Sequence, residues 1–287
     1  MSWKFNKALI NSLIFIFNMN LNSTIKLNNG IRIPALGLGV WQIPKIACED
    51  AVNAALDAGY RHIDTAAIYE NETIVGNALI KSSIPREEIF VTTKLWNDDH
   101  KDVEKALNEN LKKLQLDYID LYMIHFPVPE RNDSWKVMEN LLKQGKIKSI
   151  GVSNFTVRHL KELISKTDIV PAVNQVEFHP YLYQKELLDY CKKTGIIIEA
   201  YSPLTHGVKL KDSNLIKIAK KYNKSTAQLL IKWGLQHGLI VIPKSSKKER
   251  ILENYLVFDF KISKEDMKTL DGFNENLRTC WDPTKAP

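Results

Sequence analysis

Asp64, Tyr69, Lys94 and His125 stand at or just beyond the ends of short apolar runs, in the strings Arg61-His62-Ile63-Asp64-Thr65-Ala66-Ala67-Ile68-Tyr69, Thr93-Lys94-Leu95-Trp96 and Tyr122-Met123-Ile124-His125. A free phenol has a pKa of about 10, so Tyr69 can donate a proton at neutral pH, but weakly. A neighbouring ammonium stabilises the phenolate left behind and eases donation, and Lys94 is the candidate. A lysine inside a barrel mouth is costly to bury charged unless paired, and Asp64 is the group to pair it. His125 can then hydrogen-bond a carbonyl oxygen and orient it. The expected chemistry is general-acid proton donation to a polarised carbonyl. A fourth string, Ile242-Pro243-Lys244-Ser245, with Arg250 close behind, offers an ammonium, a hydroxyl and a guanidinium fork that suit a phosphate dianion.

Each residue alone has a plainer role. Asp64-Thr65 can cap a helix, Lys94 can snorkel at a surface, His125 can sit satisfied in a core, and Tyr69 can line a core edge. Four polar groups gathered on one face of one fold are hard to explain by packing, so their positioning elements decide the matter. Apolar, strand-like runs recur at Ala35–Val40, Arg61–Ile63, Ile89–Thr93, Tyr118–Ile124, Ile147–Val152, Ala172–Val176, Ile196–Ala200 and Leu239–Ile242. Between them lie stretches of helical period, such as Val103, Ala106, Leu107, Leu111 and Leu114. Alternating strands and helices require parallel pairing with helical crossovers. Eight such units predict a (β/α)8 TIM barrel, whose site lies at the carboxyl ends of the strands. An open dinucleotide-binding sheet would need a full glycine fingerprint, and Gly37-Leu38-Gly39-Val40-Trp41-Gln42 lacks the third glycine. It reads instead as the first barrel strand. Ahead of it, Thr24–Leu27, Asn28-Asn29-Gly30 and Ile31–Pro34 predict a β-hairpin that caps one end, with Gly30 at the turn.

The 287 residues carry 40 basic and 33 acidic side chains, a net charge of +7 that is dispersed along the chain. That balance suits an anionic ligand; the cluster Lys244 to Arg250 is too short, and too poor in aromatics, to read as a nucleic-acid surface. Cys48, Cys191 and Cys280 have no metal-ligand spacing and imply reduced thiols, hence a cytoplasmic protein with no metal site. Lys4 and Lys7 precede an apolar run, Ala8 to Phe17, that is too short to span a bilayer and has no small-residue cleavage site after it. Residues 1–19 are read as an extension outside the fold, with Met19 as the working start and residues 20–287 as a single barrel domain.

The strings His62–Ala66 with Tyr69–Glu72, Gly151–Phe155, Asn174–Glu177, and Ile242–Ser245 followed by Arg250 and Glu253-Asn254 closely resemble the signatures of the aldo-keto reductase family, in family order and at family spacing. The resemblance runs from the hairpin to about Leu277 and implies a monomeric barrel that binds NADPH/NADP+ and transfers hydride to an aldehyde or ketone. Asp64, Tyr69, Lys94 and His125 match the catalytic tetrad, with Tyr69 as proton donor. Ser153, Asn154 and Gln175 match the residues that hold the nicotinamide carboxamide, and Tyr201 the aromatic that stacks on its ring, with Ser202 and Leu204 beside it. The resemblance assigns Lys244, Ser245 and Arg250 to the adenosine 2′-phosphate and Glu253 and Asn254 to the adenine. Trp41, Trp96, Phe126 and Trp281 are expected to form the substrate pocket. Phe126 replaces a frequent tryptophan, Thr205 replaces a frequent glycine, and the loop from Pro127 to Asp133 is short. The branch it resembles includes microbial 2,5-diketogluconate reductases and prostaglandin F synthase-like enzymes, which implies a broad small-carbonyl or dicarbonyl substrate range and no nucleic-acid or membrane partner. Two other readings remain open on the residues alone: a cofactor-binding interaction or structural protein on the same barrel, and a barrel enzyme with Lys94 as a Schiff-base nucleophile.

Overall fold

A computed structural model describes residues 23–287, so the expected extension at residues 1–19 lies outside the described residues. The chain begins there as an antiparallel hairpin, β1 (Thr24–Lys26) and β2 (Arg32–Pro34), in which Thr24 faces Pro34. Gly30 takes φ +91° at the turn, a conformation that side chains with a Cβ resist. From this turn Asn28 donates to the Pro171 carbonyl at 3.0 Å and Asn29 to the Ser149 hydroxyl at 2.9 Å. These contacts dock the hairpin against the amino ends of barrel strands.

Eight parallel strands follow in sequential order: β3 (Leu38–Gly39), β4 (His62–Asp64), β5 (Phe90–Leu95), β6 (Ile119–Ile124), β7 (Ile147–Ser153), β8 (Val173–Glu177), β9 (Ile197–Tyr201) and β10 (Ile240–Val241). The sheet closes on itself where Gly37 N donates to Val241 O at 3.0 Å and Val241 N to Ala35 O at 2.9 Å. β10 is short because Pro243, two residues on, has no N–H to extend the ladder. Every residue of β5 is buried, as a strand covered on both faces requires.

Helices wrap the strands: α1 (Lys45–Asp57), α2 (Glu72–Lys81), α3 (Val103–Leu114), α4 (Arg131–Lys143), α5 (Val157–Lys166), α6 (Lys185–Thr194), α7 (Ser213–Lys221), α8 (Thr226–Gln236), α9 (Lys248–Tyr255) and α10 (Lys264–Asp271). α3 shows how they form. The Asp102 side chain accepts from Lys105 N at 3.0 Å and caps the start, while Val103, Ala106, Leu107 and Leu114 bury one face. Truncating a core leucine such as Leu107 to alanine should cost about 2–5 kcal/mol, the transfer loss plus the cavity left behind. No helix among the described residues is long and apolar enough to cross a membrane. The architecture thus delivers every strand's carboxyl end to one mouth, opposite the hairpin.

Candidate active site

A cavity of about 750 Å3 opens at that mouth, and Asp64, Tyr69, His125, Gln175 and Tyr201 line its floor. Asp64 is the last residue of β4, and Lys94 the last but one of β5. Lys94 is fully buried. It donates to both Asp64 oxygens at 2.9 Å and to Thr65 O at 2.8 Å, and approaches the Tyr69 hydroxyl at 3.5 Å. Gln175 Nε2 donates to Asp64 Oδ2 at 2.7 Å. Burial pushes the Asp64 carboxyl up, and these donations from Lys94 and Gln175 oppose it. An ammonium so fully committed is a poor Schiff-base nucleophile, which weighs against that reading of Lys94.

Tyr69 reaches the floor from a one-turn 3-10 segment, Ala67–Tyr69, just past β4. Its ring lies 5.7 Å from His125 and 5.0 Å from the Lys94 ammonium. Burial holds the phenol well above its ordinary range, the Asp64 charge pushes the same way, and so would Cys280 and Glu199 wherever they ionise. From the sequence, Lys94 is expected to ease proton donation. In the structure, burial is the larger influence, so the phenol firmly keeps its proton until a partner takes it. His125, just past β6, is held well below its ordinary range by burial and by the Lys94 charge, so it stays a neutral imidazole. Its Nδ1 has no hydrogen-bond partner among the described residues.

The residues expected to hold a nicotinamide bond to one another here. Ser153 donates to Gln175 O at 2.9 Å, Asn154 Nδ2 to His125 O at 3.0 Å, and the Tyr201 hydroxyl to Asn154 Oδ1 at 2.8 Å. At the far end of the cavity stand Lys244, Ser245, Arg250, Glu253 and Asn254, with Ser202 and Leu204 along the way. Ser245 and Asn254 are buried, whereas Lys244 and Arg250 are exposed. Neither of these two cations has an acidic partner among the described residues. The donor set therefore fits a long ligand with an anionic end.

The four aromatics of the expected pocket come together. Phe126 stacks on His125 at 4.8 Å and meets Trp281 edge-on at 4.8 Å, Trp96 lies 5.4 Å from His125, and Trp41 lies 6.5 Å from Tyr69. Several residues here escaped the sequence reading. His206 packs edge-on against Trp41 at 5.6 Å, and its Nε2 lies 3.2 Å from Cys280 Sγ, which is also 3.3 Å from Ser202 Oγ. Glu177 accepts from Thr279 N at 2.7 Å and Cys280 N at 3.2 Å, tying down the segment that carries Trp281. The only sequence signal for His206 was its neighbour Thr205. That residue takes φ +53°, a left-handed backbone that a β-branched side chain disfavours, at the place where glycine is frequent.

The chain matches the model of the Aldo/keto reductase family over residues 35–275. It belongs to that family. Over 268 residues the reductase is 49% identical to a glyoxal reductase of Bacillus subtilis, covering 92% of this chain and 97% of that one. A methylglyoxal reductase of Escherichia coli K12 is 47% identical over 266 residues, covering 91% and 97%. The crystal structure of a Bombyx mori aldo-keto reductase in complex with NADP is 39% identical and superposes with a TM-score of 0.86, covering 92% of this reductase and 97% of that chain.

Proposed function

We propose that this reductase converts small aldehydes and dicarbonyls to alcohols with NADPH, Tyr69 acting as general acid. One observation carries the reading: a single cavity joins a proton donor seated on a buried ion pair to two cations without acidic partners at its other end. When bound, NADPH supplies the hydride. Lys244, Ser245 and Arg250 would hold its 2′-phosphate, Glu253 and Asn254 would serve the adenine, and Ser153, Asn154, Gln175 and Tyr201, with Ser202 and Leu204, would hold the nicotinamide end. To accept the carboxamide, Asn154 exchanges its bond from Tyr201 for one from the ligand.

His125, neutral and with its ring in the cavity, donates to the carbonyl oxygen and aligns it. Tyr69 gives that oxygen its proton as the carbonyl carbon is reduced, and Lys94 stabilises the phenolate that remains. Trp41, Trp96, Phe126 and Trp281 enclose the substrate with flat apolar surface, leaving the floor to polarise the carbonyl. The glyoxal and methylglyoxal reductases among the relatives support small dicarbonyls as the substrate class. A monomer working in the cytoplasm belongs to the same reading. The test is loss of NADPH absorbance, with NADH in parallel, against glyoxal, methylglyoxal and 4-nitrobenzaldehyde. Turnover with NADPH is the expected result. No turnover on any of them, despite NADPH quenching the tryptophan fluorescence, would overturn it.

A further inference from the structure

Beneath the Asp64–Lys94 pair lies a second acid that the proposed reaction does not use. Glu199, in the middle of β9, is fully buried, and neither of its carboxyl oxygens has a hydrogen-bond partner among the described residues. His62 on β4 lies close by, its Nε2 3.6 Å from Glu199 Oε1 and 3.0 Å from the Thr92 hydroxyl. His62 Nδ1 is also without a partner among the described residues. The fold makes room for this imidazole: a Cβ at Gly37 would fall 2.5 Å from His62 Nδ1. Gln175 pairs with Glu199 across the β8–β9 register and acts weakly on its carboxyl, but its well-formed hydrogen bond, at 2.7 Å, goes to Asp64. The titratable and charged groups that face Glu199 are thus His62 and Asp64 from β4, Lys94 from β5 and Tyr69 from the turn beyond β4.

Two carboxyls that feel each other in one buried site cannot both ionise cheaply. Asp64 has three N–H···O bonds to its oxygens and Glu199 has none, so the negative charge settles on Asp64 and the proton on Glu199. With that proton in place the Asp64–Lys94 pair is neutral overall. Without it, a second negative charge sits below Tyr69, where a phenolate must form during reduction.

Building on the proposed reduction, we infer that Glu199 is a positioning residue: it stores a proton beneath the Asp64–Lys94 pair, and loss of that proton sets the alkaline limit of proton donation by Tyr69. Burial, with the Asp64 charge adding to it, pushes the Glu199 carboxyl up to about 8, which puts the limit in an accessible range. Burial and the Lys94 charge lower His62 to about 3, so the imidazole is neutral throughout and does not titrate with it.

The pH profile of kcat for NADPH-dependent aldehyde reduction tests this in wild type, Glu199→Gln and Glu199→Leu. The amide keeps the shape of the protonated acid, and the leucine removes the unpartnered group altogether, so one variant serves if the other fails to fold. Wild-type kcat should fall at least about fivefold between pH 7 and pH 9, with KM for the aldehyde unchanged. Either variant should keep kcat near pH 6.5 within about threefold of wild type and stay flat to pH 9. A merely structural carboxyl would alter stability and leave the limb in place, so the same alkaline fall in a folded variant overturns the inference. Infrared spectroscopy of the 13C-glutamate-labelled enzyme gives a readout independent of turnover. A protonated-carboxyl band that titrates near pH 8 and is missing from the variant supports the proton store, and its absence in wild type near pH 6.5 refutes it. A wild type without turnover would fail the reductase reading instead, leaving Glu199 to be judged on the band.

Discussion

At the floor of the cavity Asp64 and Lys94 are partnered inside the protein, while at the far rim Lys244 and Arg250 face solvent with no ion-pair partner among the described residues. Lys94 and Asp64 are strand residues, buried and bonded to each other and to Thr65 and Gln175. Lys244 and Arg250 stand past β10 and on α9, exposed. A buried ion pair stays in place only with near-complete hydrogen bonding, and the floor supplies it. Rim cations lose little by waiting in water and gain on meeting an anion, which makes the rim a place for a ligand to attach and leave. The two regions divide the work: the floor fixes the proton chemistry, and the rim holds what is brought to it.

The largest effect that would break this division comes from Tyr69→Phe. Removing the hydroxyl should lower kcat by about 10^3-fold, within the range general acids supply, with NADPH affinity kept within about twofold. Single-turnover kinetics and tryptophan quenching measure the two; a variant with wild-type kcat would remove Tyr69 as the acid. Asp64→Asn sharpens the floor's side of it. It leaves the Lys94 ammonium buried with a neutral partner, and the denaturant midpoint should report a loss of about 3–5 kcal/mol. A loss under about 1 kcal/mol would mean the ammonium is not held as an ion pair. At the rim, Lys244→Ala and Arg250→Ala should each raise KM for NADPH about tenfold and barely move KM for NADH, with stability changed by less than about 0.5 kcal/mol. Equal effects on both coenzymes would place the phosphate contact elsewhere.

The same contrast explains what could be read from the chain alone. The floor was legible because each of its groups ends a run of apolar residues, and parallel strands send those ends to one mouth: Asp64 closes β4, and His125 follows β6 directly. The hairpin was legible from Asn28-Asn29-Gly30, since a turn with positive φ favours glycine. Glu199 was not, because an acid in the middle of an apolar strand looks like the outward half of an alternating pattern until the barrel closes around it. His206 and Cys280 were invisible for another reason. They meet across 74 residues, and only the strained run from Thr205 to Gly207 aims the imidazole at the C-terminal segment.

Glu177 joins the floor to the C-terminal segment that walls it, and its removal is the mildest way to test how self-contained the floor is. It lies at the end of β8, buried like the floor, yet what it holds is the aromatic wall above the floor: the Thr279 and Cys280 amides that set Trp281 against Phe126. Burial by itself would raise this carboxyl, but donation from His179 and Thr279 outweighs burial and holds it below its ordinary value. A carboxyl lowered in the folded state contributes stability that is present above its unfolded pKa and lost as pH falls through the folded one. The C-terminal segment should therefore stay docked from pH 7 down to about pH 5 and loosen only in more acid solution. Glu177→Gln keeps the shape and removes the charge, weakening at once the charge-assisted bonds from Thr279, Cys280 and His179. KM for the aldehyde should rise a few-fold, by about 1 kcal/mol, with kcat near wild type because the floor is untouched. Hydrogen exchange at Thr279 and Cys280 should quicken in the variant at neutral pH and in wild type only on acidification. A fall in kcat in place of a rise in KM would mean that the C-terminal segment helps arrange the proton donor, and that the floor is not self-contained.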